Sequence, residues 1–195
     1  GSMDNKEIFS RLIAVTNRHL CTHTFEEHVE RICRAHPKAL ILREKDLTED
    51  EYRKLAEETI CICSRYGVQF IAHSFPDTAL ALGCDAIHLP LHLMRGYADM
   101  MHEFSVAGTS VHSLEEAVEA EQSGASYISA GHIFSTDCKK GVPPRGLDFL
   151  REVCSSVSIP VYAIGGIRID EAQLQELLDC GAAGGCVMSG MMKLL

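Results

Sequence analysis

The chain has 195 residues, 46% of them hydrophobic, with a formal net charge of −9 and a pI near 5.5. That length suits one domain with a sizeable core, and an acidic surface offers no attraction to nucleic acid or to an anionic membrane. Nine cysteines occur without the paired spacing of a zinc site, Cys61 and Cys63 standing too close for the usual two-residue gap, and they read as reduced thiols of a cytoplasmic protein. The first residues lack the basic region and apolar run of a signal peptide, and no apolar stretch is long enough to span a bilayer. Gly1 and Ser2 look like a tag remnant, which leaves residues 3 to 195 as the expected single domain.

In chain order, LIAVTN (12 to 17) is the first predicted strand, followed by a helix in FEEHVERICRA. ALILRE (39 to 44) leads into TEDEYRKLAEETICICSRYG, whose apolar residues recur at three-to-four spacing and whose glycine marks the stop. QFIAHS (69 to 74), AIHLPL (86 to 91) and VAGTSV (106 to 111) come next, then SLEEAVEAEQSG, where Ser113 with Glu116 predicts a capping box. YISAGHIF (127 to 134), VYAIGG (161 to 166) and GCVMSG (185 to 190) complete the set. Eight strands alternating with helices predict an α/β fold, a small (β/α)8 TIM barrel with its last helix short or absent. The chain stops at Met191-Met192-Lys193-Leu194-Leu195, so apolar surface around the first and eighth strands is expected to lack cover, and a homo-oligomer, a dimer, follows as an expectation.

In such barrels chemistry sits at the C-terminal ends of the strands, which makes strand-end residues the candidates. GHIFSTDCKKG (131 to 141) leaves the sixth strand. Its His132 suits a general acid or base, because an imidazole ordinarily changes charge near neutrality, although a strand histidine is often structural. Lys139 and Lys140 can hold a phosphate or pyrophosphate, or form a solvated pair, and Cys138 has no nameable activating partner. AIGGI (163 to 167) and MSG (188 to 190) end the seventh and eighth strands, where small residues let backbone N–H groups approach an anion, so Gly165, Gly166, Ser189 and Gly190 are candidate phosphate contacts. In LREKD (42 to 46) strand alternation puts Arg43 and Lys45 on one face, with Glu44 on the other; two inward cations need an anion, unless the motif is simply an exposed charged strand end. His73, His88 and His112 are strand-end histidines with no acid at matching positions, and they read as core or rim residues rather than a metal site.

LREKD, AHSFPDTALALGCDAIHLP, GTSVHSLEEAVEA, SYISAGHIFSTDCKKG, PVYAIGGI and GAAGGCVMSG together resemble the thiamine phosphate synthase and TenI superfamily, in register from about residue 12 to 190. The resemblance implies a (β/α)8 barrel acting on a thiazole phosphate, with Arg43, Lys45, His73, Thr109, Ser110, Lys139, Gly165, Gly166, Ser189 and Gly190 in contact with substrate. It also offers two branches. Synthases of the family bind a pyrimidine pyrophosphate with Mg2+ through a Gln before Arg-x-Lys, an Asn-Asp pair after the third strand and Gly-Gln-Glu-Asp after the fourth. Here those positions read Ile41, His73-Ser74 and Pro90-Leu91-His92-Leu93, without the carboxylates that a hard cation needs.

Synthases also carry Gly-Pro-x-Phe on the sixth strand, where this chain has Gly131-His132-Ile133-Phe134. A histidine there, followed by Asp-Cys-Lys-Lys-Gly, is similar to the TenI-type thiazole tautomerases, which aromatise a carboxythiazole phosphate tautomer. The resemblance therefore implies a cytoplasmic isomerase of thiamine biosynthesis with His132 as acid and base, no metal and no other cofactor. The alternatives it leaves are thiamine phosphate synthase, a transferase, and a non-catalytic regulatory protein that binds thiazole phosphate.

Overall fold

The computed structural model describes residues 1–136 and 141–195. Eight parallel strands, β1 (Leu12–Val15), β2 (Ala39–Leu42), β3 (Gln69–His73), β4 (Ala86–Pro90), β5 (Val106–Val111), β6 (Tyr127–Ala130), β7 (Val161–Ala163) and β8 (Gly184–Val187), pair in sequence order and close into a barrel. Closure is made by β1 against β8, with Ile13 opposite Cys186. The helices are α1 (Asn5–Ser10), α2 (Phe25–Arg34), α3 (Glu49–Tyr66), α4 (Pro76–Ala81), α5 (Leu91–Gly96), α6 (Leu114–Gln122), α7 (Gly146–Ser156), α8 (Glu171–Asp179) and α9 (Ser189–Met192). This is the TIM-barrel fold that the alternating pattern predicts.

Strand alternation divides the buried residues into two layers. Ile13, Val15, Ile41, Ile71, Tyr127, Tyr162 and Cys186 fill the barrel interior, while Leu12, Leu40, Leu42, Leu89 and Ile128 face outward under the helices. Each fully buried Leu or Ile contributes roughly 1.5–3 kcal/mol. The helix ends follow local chemistry. Thr48 and Glu51 form a reciprocal capping box on α3, and Gly67 ends that helix in the left-handed region at φ 68. The box expected on α6 forms only one arm: Ser113 Oγ accepts from Glu116 N, but the Glu116 carboxylate turns to His112 N instead.

Most predicted strands overrun the observed ones at the C-terminal end, and at one of them the donor just past the strand finds another partner. That strand is β2: Arg43 N donates to Thr16 Oγ1 at 3.1 Å rather than to a strand carbonyl. Around β1 and β8 the last residues provide the cover expected to be lacking. Met191 and Met192 are buried, and His28 of α2 donates from Nδ1 to Met192 O at 2.9 Å while its Nε2 accepts from Thr22 N and His23 N. The uncovered apolar surface that motivates the expected dimer is therefore closed by α2 and α9. No helix among the described residues is long and apolar enough to cross a membrane.

Candidate active site

The turn after β2 is anchored by a buried carboxylate. Glu44 accepts from Thr16 Oγ1 at 2.7 Å, from Arg18 N at 3.0 Å and from Arg18 Nη1 at 3.0 Å. Arg18 reaches on to Asp46 at 2.6 and 2.9 Å, and His19 Nε2 adds a contact at 2.8 Å. Arg18 first, then His19, holds the Asp46 carboxyl far below the usual carboxylate range. This clamp corrects the simple alternation expected for LREKD. Strand geometry stops at Leu42, so Glu44 does not face away from the cations; it lines the same cavity as Lys45.

That cavity, of about 270 Å³, lies at the ends of β2, β3 and β4, and Lys45, Tyr52, His73, Ser74 and His92 complete its wall with Glu44. A larger depression, lined by Asp148 and Arg151, lies on α7 away from the strand ends. The Tyr52 hydroxyl ties two strands at the cavity floor, accepting from His73 N at 2.8 Å and donating to Leu42 O at 2.6 Å. Next to it, Ser74 and Phe75 both adopt positive φ, 64 and 50, a costly conformation for residues with a Cβ and one that clusters at functional sites.

His73 stacks on His88 with ring centroids 5.7 Å apart and 13° between planes. Burial drives the His73 pKa well below its ordinary value, helped by His88, Arg43 and Lys45. Burial, then Arg43, pushes His88 down to about 3. Both imidazoles are thus neutral at pH 7, in the field of the β2 cations. His88 continues inward, Nδ1 to Tyr127 Oη at 2.7 Å and Nε2 to Ser110 Oγ at 2.8 Å, and Ser129 Oγ donates to Ser110 Oγ at 3.0 Å.

On the opposite side the site is made of backbone. The chain leaving β6 stays against the β7 turn, with Ile133 N donating to Ile164 O at 2.9 Å and Phe134 N to Gly165 O at 3.0 Å. A side chain on Gly165 would strike His132 Cβ, and one on Gly166 would lie 2.8 Å from Ser135 O; both glycines also need positive φ, 101 and 69. His132 is buried, with Nε2 3.3 Å from Val142 O. Ser189 and Gly190 open α9 on the neighbouring strand end.

The comparisons place the chain among known proteins. The family model described as thiamine monophosphate synthase, TMP-TENI, matches residues 12–191. The chain belongs to this family. Thiamine-phosphate synthase 2 of Streptococcus pneumoniae is 33% identical over 189 residues, covering 94% of this chain and 88% of that protein. Thiamine-phosphate synthase of Pyrococcus horikoshii is 37% identical over 156 residues, 77% of this chain and 72% of that one. The solved structure of thiamine phosphate pyrophosphorylase from Pyrococcus furiosus superposes with a TM-score of 0.79 at 30% identity, covering 97% and 90% of the two chains. TMP-TENI is a family of thiamine biosynthesis, and its synthase members give these relatives their names.

Within this TMP-TENI chain, the cavity gathers Lys45 and His73, with Arg43 close enough to depress His73. Ser110 joins through His88. Thr109 does not: it is fully buried and donates to Leu89 O at 2.6 Å, which corrects its assignment as a substrate contact. The physical reason is alternation, since Gly108 and Ser110 take the inner face of β5 and Thr109 the outer. His132, Gly165, Gly166, Ser189 and Gly190 fall at the ends of β6, β7 and β8, outside the cavity wall. His112 is exposed beside Glu116. Lys139, with Asp137, Cys138 and Lys140, lies outside the described residues. Among the described residues no three His, Cys, Asp or Glu side chains converge as a metal-binding set. Sequence reasoning missed Arg18, Tyr52, Tyr127 and Ser129. Only the small inner-face residue Gly108 hints at Tyr127, by leaving space for its ring.

Proposed function

We propose that this family member is an isomerase of thiamine biosynthesis that aromatises a carboxythiazole phosphate tautomer. The composition of the β2–β4 cavity carries the reading. A magnesium pyrophosphate needs uncommitted oxygen ligands there, but Ser74 and His92 stand in the wall, and Glu44 is already engaged by Arg18 and Thr16. Lys45 beside neutral His73 suits an anionic group of the substrate instead. The glycine turn of β7 and the start of α9 are the proposed phosphate contacts.

His132 is the proposed acid and base. Its Nε2 faces Val142 O, so the neutral tautomer with hydrogen on Nε2 leaves the Nδ1 lone pair as the base. Removal of the ring C2 proton and protonation of the exocyclic carbon, by the imidazolium or by water, moves one proton with no change in charge or oxidation state. The relatives' names support a second reading, thiamine phosphate synthase. The test is conversion of the tautomer with and without EDTA. Equal rates are expected, and a reproducible Mg2+ requirement overturns the isomerase reading.

A further inference from the structure

The hydrogen bonds inside the barrel leave only one consistent direction for their protons. Tyr127 Oη is buried, and its only hydrogen-bond partner among the described residues is His88 Nδ1. A buried hydroxyl hydrogen without an acceptor costs roughly 1–3 kcal/mol, so Tyr127 donates and Nδ1 accepts. His88 is neutral, and its single hydrogen therefore sits on Nε2, where it faces Ser110 Oγ. Ser129 is almost fully buried, and among the described residues its hydroxyl has no acceptor but Ser110 Oγ. Ser110 Oγ then accepts twice, which uses both its lone pairs. Its own hydrogen has no acceptor within the network.

Ser110 is half-buried and stands one residue before the C-terminal end of β5, on the inner face. We infer that Tyr127 is a positioning residue: it fixes the tautomer of His88 and thereby makes Ser110 an obligate hydrogen donor toward the barrel mouth. The ligand atom so selected is an oxygen that only accepts, as in a phosphate or carboxylate; a group offering a hydrogen at that point meets another hydrogen. Gly108 is part of the device. A side chain there would strike the Tyr127 ring, so the glycine lets that ring reach across to His88. The edge-on contact of Tyr127 with Tyr162, at 5.9 Å and 88°, holds the ring from the other side.

The deduction concerns tautomers and stands apart from the isomerase reading, while the identity of the acceptor rests on it. Long-range 1H–15N spectra of the full chain, with the His88 signals assigned through His88→Asn, read the ring directly. The expected wild-type ring carries hydrogen on Nε2 alone. Tyr127→Phe should lose that single-tautomer signature, and its affinity for the aromatic thiazole phosphate should fall ~10-fold, the scale of a lost hydrogen bond to a charged group. Should Tyr127→Phe not fold, Ser110→Ala should show the same loss of affinity with the wild-type tautomer retained. Hydrogen on Nδ1 in the wild type overturns the inference, as does a Tyr127→Phe protein with unchanged tautomer and affinity. A wild-type Nε2 tautomer in a protein that binds no thiazole phosphate leaves the network as inferred and removes the proposed substrate.

Discussion

At the ends of β2, β3 and β4 the barrel mouth is assembled from side chains, whereas at the ends of β6, β7 and β8 it is assembled from backbone. The first side depends on a buried carboxylate, a tyrosine hydroxyl bridging two strands and a stacked pair of neutral histidines. The second depends on two glycines that let the chain after β6 lie directly against the β7 turn. Under the proposed function each construction would suit one end of a doubly anionic ligand. In that proposal the cations on the clamped turn take a carboxylate and the glycine backbone takes a phosphate. The difference also implies different failures: a side-chain site collapses when one charge is deleted, while a backbone site tolerates loss of a charge but not added bulk.

The sharpest break of the comparison is Glu44→Ala. Removing the buried acid leaves Arg18 without a partner of its own depth and frees the turn that carries Arg43 and Lys45. Loss of about 3 kcal/mol is expected, the lower end for breaking a buried pair, because Asp46 still holds part of Arg18. Urea unfolding measures it, and a loss below about 1 kcal/mol would mean that the clamp is ornamental. Next in size is His132→Asn, which keeps a similar shape but cannot carry the proton. Turnover should fall ~100-fold or more with binding of the aromatic product retained, as single-turnover kinetics and titration would show. A near wild-type rate moves the role away from this residue.

Smaller, and confined to the side-chain half, is the effect of acid. His88 is held neutral down to about pH 3 in the fold, while in the unfolded chain a histidine takes up a proton near pH 6.5. The unfolded state therefore binds more protons between those values, and stability falls as pH drops through that window. The slope should be about 1.4 kcal/mol per pH unit for each histidine so held. His73 is depressed in the same direction and adds to it. His88→Asn should flatten the slope in urea unfolding curves recorded from pH 7 to pH 4; an unchanged slope would assign the acid sensitivity elsewhere.

Much of the barrel was legible because eight short, continuous apolar runs alternate in chain order with helical stretches of three-to-four spacing. What escaped lies at the strand ends. Glu44 reads in sequence as the outward member of Arg-Glu-Lys, since nothing local reveals that Arg18, from the previous unit, turns back to meet it. Thr109 and Ser110 are adjacent and chemically alike, and only the pairing of β5 with β4 and β6 separates the outward hydroxyl from the inward one. The glycine pair was visible, but its packing against residues 132 to 135 depends on a contact between consecutive units that has no signature in either.

The bridging of the two halves by one ligand is the central claim, and a crystal structure with the aromatic carboxythiazole phosphate bound tests it most directly. The predicted complex has phosphate oxygens against the backbone at Gly165, Gly166, Ser189 and Gly190, the carboxylate toward Arg43 and Lys45, and the ring within hydrogen-bond reach of His132. A phosphate seated on Arg43 and Lys45, with the ring remote from His132, would contradict both the orientation and the proton transfer.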